Sequence, residues 1–207
     1  RQRQMCIETA LTLIALGAAI IAVLSPLAIP IGIVPVTLQT LAVGLVATVL
    51  KARETFFAIL LYLLLGFIGI PVFTGGTSGI AVLFGPTGGF LLAFLIMGTL
   101  ISWGLHQIKY KTIPAFIINI VGHLLMLVIG TLWLKFFTQV DWSLALKLGF
   151  TPFVFVEIIK AILVTIFGLA LIRAPLTQIN TLQTSLKPLQ LVYVLSLYTS
   201  DAADDYS

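Results

Sequence analysis

Long apolar stretches separated by short polar breaks set the pattern of this chain. The stretches run over Met5 to Ile29, Leu38 to Leu50, Phe56 to Ile70, Gly88 to His106, Pro114 to Phe137 and Phe150 to Ile172. A bilayer core about 30 Å thick needs about 20 helical residues to cross it, so the pattern predicts an all-α bundle of six transmembrane helices. The second and third stretches are short. They either draw in flanking residues or form a re-entrant hairpin, and the parity of crossings is the same in both cases. Thr151 followed by Pro152 reads as the start of the sixth helix, an N-cap and its first helical residue.

Basic residues sort the connections into two kinds. Arg1, Arg3, Lys51, Arg53, Lys109, Lys111, Arg173 and Lys187 fall at the N-terminus, in alternate loops or after the last stretch. Under the positive-inside rule they mark the cytoplasmic side, so both termini are expected there. The connections over 25–37 and 71–87 carry no charge, and the one over 138–149 carries only Asp141 and Lys147. These three are expected to face outward, and Trp133 and Trp142 to mark the outer interface. The domain plan is a membrane domain over 1–186 and a tail over 187–207, with an apolar stretch around Leu189 to Leu197 and an acidic end read as surface peptide or appended sequence.

Composition narrows the class. Of 207 residues, 60% are hydrophobic and 9% charged, with a mean hydropathy of +1.18, against about 25% charged in a soluble domain. The one cysteine, Cys6, excludes an internal disulfide. The net charge of +4 is dispersed at segment ends, without the basic stripe that nucleic acid requires. No Walker motif is present, so coupling to ATP would need another subunit. Neither an activated nucleophile nor a cluster of metal ligands stands out, so the reading is a binding protein, not an enzyme, with no metal or cofactor.

The candidate chemistry lies within the apolar stretches. Glu157 and Lys160, three apart on the sixth helix, share a face, and each costs about 2.5–3.5 kcal/mol to place in a membrane. Either they neutralise each other or they meet a polar ligand, Lys160 binding a carboxylate and Glu157 accepting from N–H donors. Asn119 and His123 share a face of the fifth helix at a similar depth, as interhelical glue or as further ligand contacts. The stretch GIPVFTGGTSGIAVLFGPTGGF, Gly69 to Phe90, is glycine-rich and suits a lid folded over a cavity or an irregular connection. Ala15, Ala18, Ala19 and Ala22 give the first helix a small-residue face for a partner subunit or for one of the chain's own helices.

Taken together, VPVTLQTLAVG at Val34 to Gly44, GIPVFTGGTSG at Gly69 to Gly79, GPTGGF at Gly85 to Phe90 and the E-x-x-K of Glu157 to Lys160 resemble the BioY family. That family is the biotin-binding S component of energy-coupling factor (ECF) vitamin transporters. The resemblance implies a six-helix bundle in the bacterial plasma membrane with biotin as transported ligand. It further implies a T component and two ABC-type ATPases as partners, docked on Ala15, Ala18, Ala19 and Ala22. Biotin would contact Glu157 and Lys160 and be covered by loops carrying Thr37, Gln39, Phe73, Gly75, Gly76, Gly79, Gly85 and Thr87, with Asn119 and His123 in support. Glu157 stands where the family pattern leads one to expect aspartate. The rival readings are an S component for another vitamin, an intramembrane enzyme and a solitary channel or facilitator.

Overall fold

The computed structural model describes residues 2–29 and 34–173, with side chains from residue 8 onward. Lys187 and the tail over 187–207 lie outside the described residues. Helix α1 spans Gln2–Leu24, α2 Gln39–Val49, α3 Ala52–Phe67, α4 Ile80–Leu83, α5 Gly88–Gln107, α6 Thr112–Thr138 and α7 Trp142–Gly149, and α8 runs over 151–173. Two two-residue strands, β1 (Ala28–Ile29) and β2 (Val36–Thr37), pair antiparallel between α1 and α2. The described residues up to 169 make one compact unit, and the site described below lies wholly within it.

Three helical stretches among the described residues are long and apolar enough to cross a membrane: Gly88–Gln107, Thr112–Thr138 and Trp142–Arg173. The helices α2 and α3 form as the pattern predicts but remain short. At 11 residues, α2 rises only about 16 Å.

The bundle is assembled by close approach. The helix α5 packs on α6, α3 and α2, while α1 packs on α3 and α2. Such approaches need residues without side-chain bulk. A Cβ on Gly122 of α6 would overlap Ile101 of α5, and one on Gly168 of α8 would overlap Thr48 of α2. Helix ends follow local chemistry. Glu54, in the first turn of α3, accepts from the Lys51 backbone N–H at 3.3 Å, where its charge also suits the helix dipole.

Three expectations are corrected. The first helix stops at Leu24 instead of reaching Ile29. Pro26 disfavours helical geometry at Ser25, and Ala28 and Ile29 pair with Thr37 and Val36 instead. The connection over 138–149 is largely the helix α7, read as a loop because its two charged residues interrupt a short pattern. Thr151 is helical and is not an N-cap. The chain passes from α7 into α8 through Phe150, with φ −120° and ψ −63°. Pro152 brings no N–H there, and Phe153 and Val154 both donate to the Phe150 carbonyl, at 3.0 and 3.1 Å.

The small-residue face of α1 divides. Ala18 is buried and Ala22 half-buried, while Ala15 and Ala19 are exposed. Part of that face therefore serves the chain's own bundle.

Candidate functional site

A cavity with about 540 Å³ of empty space, its mouth included, opens among α2, α5, α6, α8 and the segments leading into α2 and α5. Its walls are mainly apolar: Phe73, Phe90, Phe94, Met126, Leu127 and Phe153. The polar lining is Thr37, Gln39, Thr40, Thr74, Thr87 and Glu157. Among the described residues that line it, Glu157 is the charged one.

Glu157 is 3% exposed and is held from three sides. Its Oε1 accepts from Lys160 Nζ at 2.7 Å and from Thr40 Oγ1 at 3.0 Å. Its Oε2 pairs with His123 Nδ1 at 2.8 Å, and because a carboxylate accepts, the imidazole donates. A carboxylate oxygen has two lone pairs, so Oε1 is filled and Oε2 keeps one acceptor position.

Lys160 sits behind this carboxylate, 7% exposed. Its ammonium donates to the Thr37 carbonyl at 2.7 Å, to Thr40 Oγ1 at 2.9 Å and to Glu157. All three N–H donors of an ammonium are thereby engaged. Lys160 ties β2 and the start of α2 to α8 and supplies the countercharge that makes burying Glu157 tolerable. Local sequence explains why Thr40 can join. A helical threonine usually bonds the carbonyl four residues back, as Thr48 and Thr165 do at 2.8 and 2.7 Å. Thr40 lies in the first turn of α2, and four residues back its chain is strand, so its hydroxyl reaches Glu157 instead.

The loop over 69–79 closes one side. Phe73 is fully buried, edge-on to Tyr62 with ring centroids 5.7 Å apart, and it lies on Gly66, where a Cβ would overlap its ring. Gln39 joins this loop to the bundle, donating to the Tyr62 hydroxyl at 2.6 Å and accepting from Thr74 Oγ1 at 3.2 Å. Gly75, Gly76 and Gly79 have φ of +66°, +73° and +94°, a backbone region that glycine adopts freely. They shape the loop and do not line the cavity. Gly75 N–H reaches the Pro26 carbonyl at 3.2 Å and Gly79 N–H the Gly66 carbonyl at 2.7 Å.

The remaining candidates have distinct places. Thr37, Gln39, Phe73 and Thr87 line the cavity with Glu157. Gly85 does not. Its carbonyl accepts from Trp133 Nε1 at 3.0 Å, so Trp133 anchors the loop into α5. His123 touches Glu157 from behind the wall. Asn119, one turn away, bonds the Ala115 carbonyl at 3.2 Å and lies 3.4 Å from Thr48 Oγ1, apart from the cavity. Sequence reasoning missed Phe90, Phe94 and Phe153 as lining. The signal was helical spacing: Phe153 lies four residues before Glu157 and Phe90 four before Phe94, which puts each pair on one face.

The BioY family pattern matches residues 2–176. The chain is similar to the biotin transporter BioY2 of Lactococcus lactis subsp. cremoris (strain MG1363), 99% identical over 164 residues, 79% of this chain and 90% of that protein. It is also similar to the probable biotin transporter BioY of Pyrococcus horikoshii, 39% identical over 72% of this chain and 88% of that one. Among solved structures, the S-component for biotin from an ECF-type ABC transporter superposes with a TM-score of 0.76 at 29% identity, covering 84% of this chain and 94% of that chain. The chain belongs to the BioY family.

Proposed function

We propose that the cavity holds biotin with its ureido ring against Glu157 and its acid chain directed toward Gln39 and Thr87. The chain is a biotin transporter, an S component of the ECF type, and not an enzyme. One observation carries the orientation: a nearly dehydrated carboxylate with an acceptor position left on Oε2 lies at the wall of a mainly apolar cavity. A ureido N–H is a neutral donor that can take that position. The thioether ring and aliphatic chain suit Phe73, Phe90, Phe94 and Phe153, while the ligand's own carboxylate meets hydroxyl and amide groups.

Lys160 acts here on Glu157 and not on the ligand's acid group, since its donors are spent within the protein. The basic residues near Lys51 and Lys109 support a cytoplasmic side for those turns, with the uncharged loops admitting biotin from outside a bacterial plasma membrane. A T component and two ABC-type ATPases supply the energy, with the exposed Ala15 and Ala19 available for contact.

The test is calorimetric titration of the purified protein in detergent with biotin and with its two mono-N-methylated ureido isomers. Biotin binds one to one, and at least one isomer, lacking the N–H that meets Glu157, binds about tenfold or more weakly. Equal affinity for biotin and both isomers, or no biotin binding, overturns the proposal.

A further inference from the structure

His123 is fully buried on α6, and its two ring nitrogens have opposite situations. Nδ1 makes a 2.8 Å bond to Glu157 Oε2, whereas Nε2 is buried with no partner. Leaving a buried ring nitrogen unpaired is unfavourable, and an apolar side chain would fill the same space without that cost. The fold nonetheless makes room for the imidazole. Gly44 of α2 faces it, and a Cβ there would stand 2.8 Å from Nε2 and 3.1 Å from Val164 of α8. What the histidine contributes is therefore its Nδ1 bond.

That bond acts on the oxygen that matters. Lys160 and Thr40 both hold Oε1 and His123 adds a bond on Oε2, so the terminal torsion, broad for glutamate, is narrowed by contacts on both oxygens. We propose that His123 is a positioning residue: its imidazole, seated against Gly44, fixes the rotation of the Glu157 carboxylate so that Oε2 presents its open lone pair to a ligand N–H. The inference rests on Glu157 meeting the ligand, as proposed above.

Two substitutions separate positioning from bulk. In His123→Asn the amide nitrogen falls near the Nδ1 position and keeps the bond to Glu157. In His123→Gln it reaches instead toward the Nε2 position and Gly44. Both are polar, and Gly44→Ala provides a third variant, displacing the imidazole without replacing any polar side chain. Biotin affinity is measured by titration in detergent for the wild type, these three variants, Glu157→Gln and the double variant H123Q/E157Q, each checked for folding by ligand-free thermal unfolding.

His123→Asn is expected to bind within about threefold of wild type, and His123→Gln and Gly44→Ala about tenfold or more weakly. In the Glu157→Gln background, His123→Gln is expected to cause less than about a threefold further loss, because coupled residues are non-additive. Equal losses from Asn and Gln, or a His123→Gln loss that persists undiminished when Glu157 is already replaced, overturn the inference. If H123Q fails to fold, His123→Asn and Gly44→Ala decide: loss in the first, or full affinity in the second, overturns it. A wild type that does not bind biotin, or a Glu157→Gln variant that binds as tightly as wild type, instead refutes the underlying assignment of Glu157.

Discussion

Replacing Lys160 by methionine separates what the buried ion pair does for stability from what it does for binding. Methionine keeps the length of the side chain and removes the charge, leaving Glu157, 3% exposed, with Thr40 and His123 but no ammonium. Breaking a buried pair by deleting one partner costs about 3–5 kcal/mol. For a chain of this length, that lowers the melting temperature by on the order of 10 °C. Three bonds go at once, including the one to the Thr37 carbonyl that secures β2 beside the cavity.

A second variant, K160M/E157Q, removes both charges. Replacing an entire buried pair by neutral groups is often neutral or stabilising, so much of the lost melting temperature should return. Biotin binding should not return, because a carboxamide is a weaker acceptor than a carboxylate. A charged hydrogen bond contributes about 1.5–3 kcal/mol, which corresponds to a loss of roughly 10- to 150-fold. Thermal unfolding in detergent and calorimetric titration read the two effects separately. Recovery of wild-type affinity in the double variant, or a single variant as stable as wild type, would refute the reasoning.

Gly66→Ala places a methyl group where the Phe73 ring now lies. The loop over 69–79 must lift, and biotin affinity should fall about tenfold or more as the cavity loses that wall, read by titration. Trp133→Phe removes the donor to the Gly85 carbonyl together with part of the ring. Unfolding measurements should show a loss of about 1 kcal/mol, with biotin affinity within about threefold, since Trp133 stands outside the cavity lining.

Glu157 and Lys160 were legible in the sequence because ionisable groups within an apolar stretch are costly and so draw attention. Their shared helix face followed from the three-residue spacing, which left open whether they pair or meet a ligand; they pair at 2.7 Å. The role given to Lys160 did not follow so directly. Its partners Thr37 and Thr40 lie 123 and 120 residues away, and no local pattern shows that an ammonium's donors are already used.

Threonine in an apolar helix is ordinarily uninformative, because it bonds its own backbone. Only the position of Thr40 at the start of α2 frees it. The shared face of Asn119 and His123 was readable, but which of the two reaches α8 depends on the crossing of α6, α2 and α8, which needs the absence of side-chain bulk at Gly44 and Gly168. The glycines of the loop announced an unusual backbone, as their positive φ values show. Sequence alone does not distinguish a glycine that shapes a loop from one that touches a ligand. Trp133 read as an interface residue for a similar reason: its hydrogen bond to Gly85 spans 48 residues.

The central claim is that Glu157 meets the ureido ring while Lys160 stays behind it. Solving the structure of the unmodified chain with biotin bound tests this most directly. The account predicts a ureido nitrogen at about 2.7–3.2 Å from Glu157 Oε2, with Lys160 still bonded to the Thr37 carbonyl. A structure in which the biotin carboxylate sits on Lys160 and the ureido ring lies away from Glu157 would contradict it.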